Sequence, residues 1–293
     1  PPRSTQSRSS AAADVYKRQE EAFFISESMF KGTLSDSEIK NVLVALNAKG
    51  ICTDEVVGFA KAMRKISTKV ITNEKIIDCC GTGGDGINTF NISTCSAFIS
   101  AASGVKVAKH GNKAITSYSG SADVLHDAGA NLDLSPDKVS QCINEVNFGF
   151  MFAPLHHQAM KNVAASRKEI APNKTIFNML GPITNPAGAQ IQLIGVFNKS
   201  VMQLVADSLM ELGTSKAIVL NSRDGMDEAS IYAETDIIEI KGELKLIHEK
   251  VSQIKDNHLE HMASDIDRLS KFIWIVGGTV FAQMCYLIAR TIM

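Results

Sequence analysis

The densest chemistry in the chain lies between Asp78 and Gly86, which read DCCGTGGDG, with Asn91-Ile92-Ser93-Thr94 shortly after. An apolar pair, Ile76-Ile77, precedes this stretch, and a run with helical character, Ser93 to Ser103, follows it. Glycine carries no Cβ, so Gly81, Gly83, Gly84 and Gly86 allow positive φ angles and let backbone N–H groups approach an anion. A strand, a glycine loop and a helix N-terminus in succession make an anion site, because the first-turn donors and the helix dipole both favour negative charge. The anion this points to is a phosphate or pyrophosphate. Neither common phosphate fingerprint is present: no Lys-Ser or Lys-Thr closes the loop, and the G-x-G-x-x-G spacing is absent.

Two further segments supply complementary chemistry. Lys109-His110-Gly111-Asn112-Lys113 follows the run Val105 to Val107 and leads into Ser117-Tyr118-Ser119-Gly120-Ser121-Ala122-Asp123. Two loops that each follow a strand, rich in glycine, hydroxyls and amides, fit one site at the carboxyl edge of a parallel sheet. Asp227-Glu228 follows the expected strand Ala217 to Leu220 and the turn Arg223-Asp224-Gly225. Adjacent loop carboxylates are usually only solvated, but beside a pyrophosphate loop they become candidate Mg²⁺ ligands, since Mg²⁺ is commonly held by one or two carboxylates plus substrate phosphates.

Positioning such loops calls for strands alternating with helices, and the sequence supplies them. Glu20 to Thr68 reads as helices, with a capping box at Ser35-Asp36-Ser37-Glu38, a stop at Gly50 and a cap at Thr53. The pattern then predicts strands at Ile76-Ile77, Val105 to Ala108, Leu132 to Leu134, Phe148 to Phe152, Ile191 to Phe197 and Ala217 to Leu220. Tyr232 and Asp236 to Leu246 suggest a hairpin turning near Lys241-Gly242. Between them fall helices at Ser93 to Ser103, Ser121 to Ala128, from Ser135-Pro136 onward, His157 to Lys168, Thr175 to Leu180 and Val201 to Leu212. The fold class expected is α/β, a mostly parallel sheet covered by helices.

The 293 residues carry a formal net charge of −1 with both signs interspersed, which argues against a nucleic-acid partner. The six cysteines show no C-x-x-C spacing, and adjacent Cys79 and Cys80 read as small buried residues of a reducing, cytoplasmic compartment. Residues 1–19 are rich in Ser, Arg and Ala without apolar period, and read as a disordered or artefactual leader. From Ile247 to Leu269 a charged amphipathic helix is expected, with Leu259, Met262, Ile266 and Leu269 on one stripe and His258-x-x-His261 on its polar face. Phe272 to Ala289 holds no charged residue, so it reads as a possible membrane span or a buried helix. Membrane contact is expected only if this tail is native and exposed.

GTGGDG, NIST, KHGN, SGSADVL, FAPLHH, TIFNMLGPITNPAG and DGMDE, in this order, resemble anthranilate phosphoribosyltransferases over about residues 20–243. That resemblance implies a phosphoribosyltransferase-like fold with a small helical domain, residues 20–70 completed by about 157–186. An α/β domain would cover 71–246, and 247–293 would be a helical tail foreign to the family. It implies transfer of phosphoribosyl from phosphoribosyl pyrophosphate to anthranilate in tryptophan biosynthesis, with Mg²⁺, in a homodimer.

Carried over residue by residue, the phosphoribosyl pyrophosphate set is Gly81, Gly84, Asp85, Thr89, Asn91, Ile92, Ser93, Thr94, Lys109, His110, Gly111, Asn112, Lys113, Ala114, Ile115, Thr116, Ser117 and Ser121. Gly81, Asn112 and Arg167 fall on anthranilate-binding positions, and His110 and His157 would line the aromatic pocket. Ser93, Asp227 and Glu228 fall on metal-binding ones. No catalytic acid or base is implied, since an aromatic amine is unprotonated at neutral pH. Lys113 stands where the family usually has Arg, and Gln158 where it usually has Pro. A paralogue with another acceptor, or an inactive or membrane-tethered chimera, is the alternative. A pyrimidine nucleoside phosphorylase would carry Lys-His-Ser/Thr where this chain has KHGN.

Overall fold

The computed structural model describes residues 5–87, 89–114, 118–241 and 245–250. Three helices open the chain: α1 (Thr5–Lys31), α2 (Asp36–Lys49) and α3 (Thr53–Ile66). Ser35 caps α2 in a reciprocal capping box with Glu38, and Gly50 ends it at φ 87°. The residue preceding α3 is Cys52, so Thr53 is its first helical residue and not its cap. Gly58 lets α1 and α3 cross closely, since a Cβ there would meet Ala22 Cβ and the Gln19 carbonyl at 2.6 Å.

The disordered leader expected at residues 1–19 differs from the structure, in which α1 already begins at Thr5. Residues from Thr5 onward are helical, and Gln19 is buried, donating to Asp54 Oδ1 at 3.2 Å and accepting from Lys61 Nζ at 2.9 Å. Arg18 and Gln19 thus join α3 through polar contacts, which no apolar period in their sequence signals.

Seven strands form one sheet: β1 (Ile77–Cys79), β2 (Val107–Gly111), β3 (Phe148–Phe152), β4 (Ile191–Gly195), β5 (Lys216–Ser222), β6 (Thr235–Lys241) and β7 (Lys245–Lys250). The order is β3-β2-β1-β4-β5-β6-β7, parallel from β3 to β5 and antiparallel for β6 and β7. The crossovers are α4 (Ile92–Ala102), α5 (Ser121–Asp127) with α6 (Pro136–Val146), a long segment from 153 to 190, and α10 (Met202–Glu211). That long segment holds α7 (Ala153–His156), a 3₁₀ turn (Gln158–Val163), α8 (Ala164–Ile170) and α9 (Phe177–Ile183).

β2 and β3 extend the sheet to one side of β1, and β4 returns to the other side. The carboxyl end of β1 is therefore a topological switch point, where adjacent loops diverge and leave a crevice. The largest core joins Phe59 and Met63 of α3, Leu43 of α2 and Phe177 and Leu180 of α9. It continues through Leu209 of α10 to one sheet face, through Val219 and Ile238. Burying that continuous apolar surface holds helices and sheet together.

Two other expectations differ from the structure. Leu132 to Leu134 form no strand; the segment runs as irregular chain into Ser135, which caps α6 through the Lys138 N–H. Residues 247–250 are strand, not helix, because β7 pairs with β6 in the register Lys241↔Lys245 to Asp236↔Lys250. The remainder of the expected tail, including the uncharged run 272–289, lies outside the described residues. Among the described residues, no helix is long and apolar enough to cross a membrane.

Candidate functional site

The glycine loop leaves β1 at the switch point and is pinned on both sides. Thr82 N–H donates to the Gly195 carbonyl at 2.9 Å, and Thr82 Oγ1 accepts from Phe197 N–H at 2.9 Å. Gly83, Gly84 and Gly86 have φ of 65°, 75° and 78°, a region costly for any residue with a Cβ. The N–H groups of Gly84, Asp85 and Gly86 have no protein acceptor among the described residues. Successive free N–H donors in positive-φ chain form an anion-binding concavity.

The loop that follows β5 closes against this one. Asp227 Oδ2 accepts from Gly83 N–H at 2.7 Å, and Asp227 N–H donates to Asp85 Oδ2 at 3.3 Å. A Cβ on Gly81 would lie 2.8 Å from Asp227 Oδ2, and one on Gly195 only 1.5 Å from the Asp227 carbonyl oxygen. Burial, reinforced by the neighbouring Asp85 charge, pushes the Asp227 carboxyl up from 3.8 to about 6. Burial and then Asp227 push Glu228 up to about 7, opposed by Lys109 and the Ser93 N–H. Acidic side chains held together against their own repulsion are suited to a divalent cation. No three His, Cys, Asp or Glu side chains converge as a metal cage among the described residues.

The second loop is tied to the first through α4. Lys109 is buried and its Nζ donates to the Cys79 carbonyl at 2.5 Å and to Ser93 Oγ at 3.2 Å. Thr94 Oγ1 donates to Ser121 Oγ at 2.9 Å, and Asn91 Nδ2 to the Ser119 carbonyl at 3.1 Å. Asp123 accepts from Ala114 and Gly120 N–H groups, both at 2.8 Å, and these bonds lower its pKa. Asn112 and Lys113 are exposed at the tip, as is Thr89 beyond the first loop. Ile115, Thr116 and Ser117 lie outside the described residues.

His110 continues β2 toward the helices. Its Nδ1 donates to the Gly181 carbonyl at 3.1 Å, which leaves Nε2 buried and unpartnered. The His157 ring packs edge-on at 5.0 Å. Burial lowers the two rings to about 3 and about 4, so both are neutral near pH 7. Arg167, on α8, lies over the Phe177 ring at 5.3 Å and makes no hydrogen bond or ion pair among the described residues. Among the described residues no hydrogen bond joins its guanidinium to Asn112, although the family resemblance gives both to one ligand.

The helical bundle domain of the glycosyl transferase family matches residues 18–67, and that family's a/b domain matches residues 73–267. Over 224 residues the chain is 47% identical to an anthranilate phosphoribosyltransferase of Hydrogenovibrio crunogenus, covering 76% of this chain and 66% of the relative. Over 232 residues it is 46% identical to that of Rubrobacter xylanophilus, covering 79% and 68%. The chain belongs to the anthranilate phosphoribosyltransferase family. It spans about two thirds of the length of these relatives. The Thermus thermophilus anthranilate phosphoribosyltransferase superposes with a TM-score of 0.75 at 36% identity, covering 81% of this chain and 70% of that one. A Saccharomyces cerevisiae anthranilate phosphoribosyltransferase in complex with PRPP and Mg gives 0.70 at 28%, covering 81% and 68%. The family's a/b match extends past residue 246, so the boundary expected there does not mark where family sequence stops.

Some residues that support this candidate site carry no role in the sequence reading. Asp78 is buried beneath the second loop, accepting from His110 N–H at 3.2 Å and Asn185 Nδ2 at 2.7 Å. Burial lifts its pKa to about 6 against the pull of Lys109. A charged residue inside the strand run Ile76 to Cys79 was the available signal, since charges are rarely buried unpaired. Gly195, ending β4, carried the corresponding glycine signal. Lys174 gave none.

Proposed function

We propose that this chain transfers phosphoribosyl from phosphoribosyl pyrophosphate to anthranilate, giving N-(5-phosphoribosyl)anthranilate and pyrophosphate. The observation that carries this reading is the trio of N–H groups of Gly84, Asp85 and Gly86, without protein acceptors among the described residues, at the sheet's switch point. Those donors suit the pyrophosphate, and the Ser93, Thr94 and Ser121 hydroxyls with Lys109 suit the rest of the phosphoribosyl group.

In the reaction the anthranilate nitrogen bonds to C1 of the ribose as the C1–oxygen bond to pyrophosphate breaks, and the amine then loses a proton to solvent. Donors aimed at the departing pyrophosphate stabilise the charge that develops there, so no side chain needs to serve as a strong base. Asp227 and Glu228, with Asp85 and Ser93 beside them, are the residues that would hold Mg²⁺. When bound, that ion supplies positive charge to the pyrophosphate. Arg167 has a free guanidinium fork, the right shape for the anthranilate carboxylate. The neutral rings of His110 and His157 suit an aromatic body without a competing positive charge. Phe24 and Val44, exposed on α1 and α2, suit a homodimer contact through the helical body.

The test is turnover of the full chain with phosphoribosyl pyrophosphate, anthranilate and Mg²⁺, following loss of anthranilate fluorescence. Fluorescence loss that requires all three components supports the reading. Pyrophosphate release that ignores anthranilate and needs a different amine would point to another acceptor. No binding of phosphoribosyl pyrophosphate at all would refute it.

A further inference from the structure

Lys174 lies between α8 and α9, in a connection that the site residues named so far do not use. Its backbone is held from the helical side, where Asn47 Nδ2 of α2 donates to the Lys174 carbonyl at 2.8 Å. Its side chain reaches the other way, and Nζ donates to the Gly84 carbonyl at 2.6 Å. The same ammonium sits 3.4 Å from the centroid of the Phe197 ring, a cation–π arrangement. Phe197 is itself bonded to the loop through its N–H and Thr82 Oγ1 at 2.9 Å. One side chain therefore touches the loop at Gly84 and, through Phe197, at its Thr82 end. Burial lowers its pKa below the usual lysine value, partly offset by the nearby Asp85 and Asp227 carboxylates.

We propose that Lys174 is a positioning residue that fixes the Gly84–Asp85 peptide, keeping the Gly84 carbonyl out of the anion's path and the Asp85 N–H turned into it. The physical reason is the planarity of the peptide unit, in which a trans C=O and the following N–H point in opposite directions. With the Gly84 oxygen held by Lys174, the Asp85 N–H must face away from it. A glycine at φ 75° flips its peptide at little steric cost, and a flipped peptide would present a carbonyl oxygen to a phosphate. The charge-assisted bond to Lys174 biases the loop against that flip. The inference rests on the reading that this loop receives the pyrophosphate of the substrate. It adds a link between the helical body and the loop, running from Asn47 through Lys174 to Gly84.

The experiment compares the full chain with Lys174→Met, which keeps the stem and removes the charge, and Lys174→Arg, which can still donate to Gly84 and lie over Phe197. Amide hydrogen exchange is followed over residues 80–87 in ligand-free protein, and phosphoribosyl pyrophosphate affinity is titrated with Mg²⁺. The expected result is faster exchange of the bonded Thr82, Gly83 and Ile87 amides in Lys174→Met, with unchanged exchange in β4. Affinity should fall about tenfold or more, anthranilate KM should stay nearly constant, and Lys174→Arg should recover most of both readouts. Unchanged loop exchange in Lys174→Met overturns the proposal whatever happens to affinity, because charge attraction alone would weaken binding without loosening the empty loop. Faster exchange with unchanged affinity also overturns it. Wild-type protein that binds no phosphoribosyl pyrophosphate overturns the functional reading, and the exchange comparison still decides whether Lys174 holds the loop.

Discussion

Asp227→Asn separates the cost of the acidic site from its use. The carboxyl rises from 3.8 to about 6 because it is buried and then because Asp85 lies beside it. At 1.36 kcal/mol per tenfold, such a rise bounds the cost of ionising Asp227 in the folded chain at about 3 kcal/mol. The repulsion is shared with Asp85 and water reaches part of the side chain, so about 1–2 kcal/mol is the expected effect. Asparagine keeps an oxygen for the Gly83 N–H and removes the charge, which mimics the protonated acid. The sign follows from the direction of the shift. Below about pH 3.8 the carboxyl is protonated folded and unfolded, and no penalty exists. As pH rises to about 6, the unfolded chain ionises freely and the folded chain does not, so wild-type stability falls relative to Asp227→Asn. At about pH 8 without divalent ion the variant should therefore be more stable, by roughly 2–4 °C in Tm. Denaturant melts at several pH values provide the assay. Asp227→Asn that is less stable than wild type in that alkaline buffer, with a gap independent of pH, would refute the reasoning.

Other outcomes follow from the same geometry. Gly195→Ala would place a Cβ 1.5 Å from the Asp227 carbonyl oxygen, so it should destabilise by about 3 kcal/mol or more and loosen the loop after β5, seen in thermal melts and in weakened pyrophosphate binding. Arg167→Ala should raise the anthranilate KM by about tenfold to a hundredfold with phosphoribosyl pyrophosphate affinity nearly unchanged, and an unchanged anthranilate KM would return Arg167 to a purely structural role over Phe177. His110 should stay neutral down to about pH 3–4 as long as the fold persists, with its proton on Nδ1; a ring that titrates near 6.5 by NMR would contradict its burial against Gly181.

The loops and most of the elements around them follow from local sequence. Glycines crowd at 81–86 because positive φ is needed there, and Ser35, Gly50 and Ser135 mark helix ends because capping is satisfied within a few residues of chain. Strand and helix periods are equally local, so the α/β alternation was legible without contacts. What those loops meet is a matter of tertiary structure. Asp227 lies more than a hundred residues beyond Gly83 in the chain and reaches it only because β4 lies beside β1, and no local pattern encodes that strand order. The same holds for Lys174 on Gly84 and for Asn185 on Asp78, each a long-range bond whose partner no local pattern encodes. Residues 5–19 show the opposite limit. Their composition gives no apolar period, yet at their end α3 offers Gly58 for close approach to Gln19 and Ala22, and Asp54 and Lys61 for the Gln19 amide, contacts that composition does not encode.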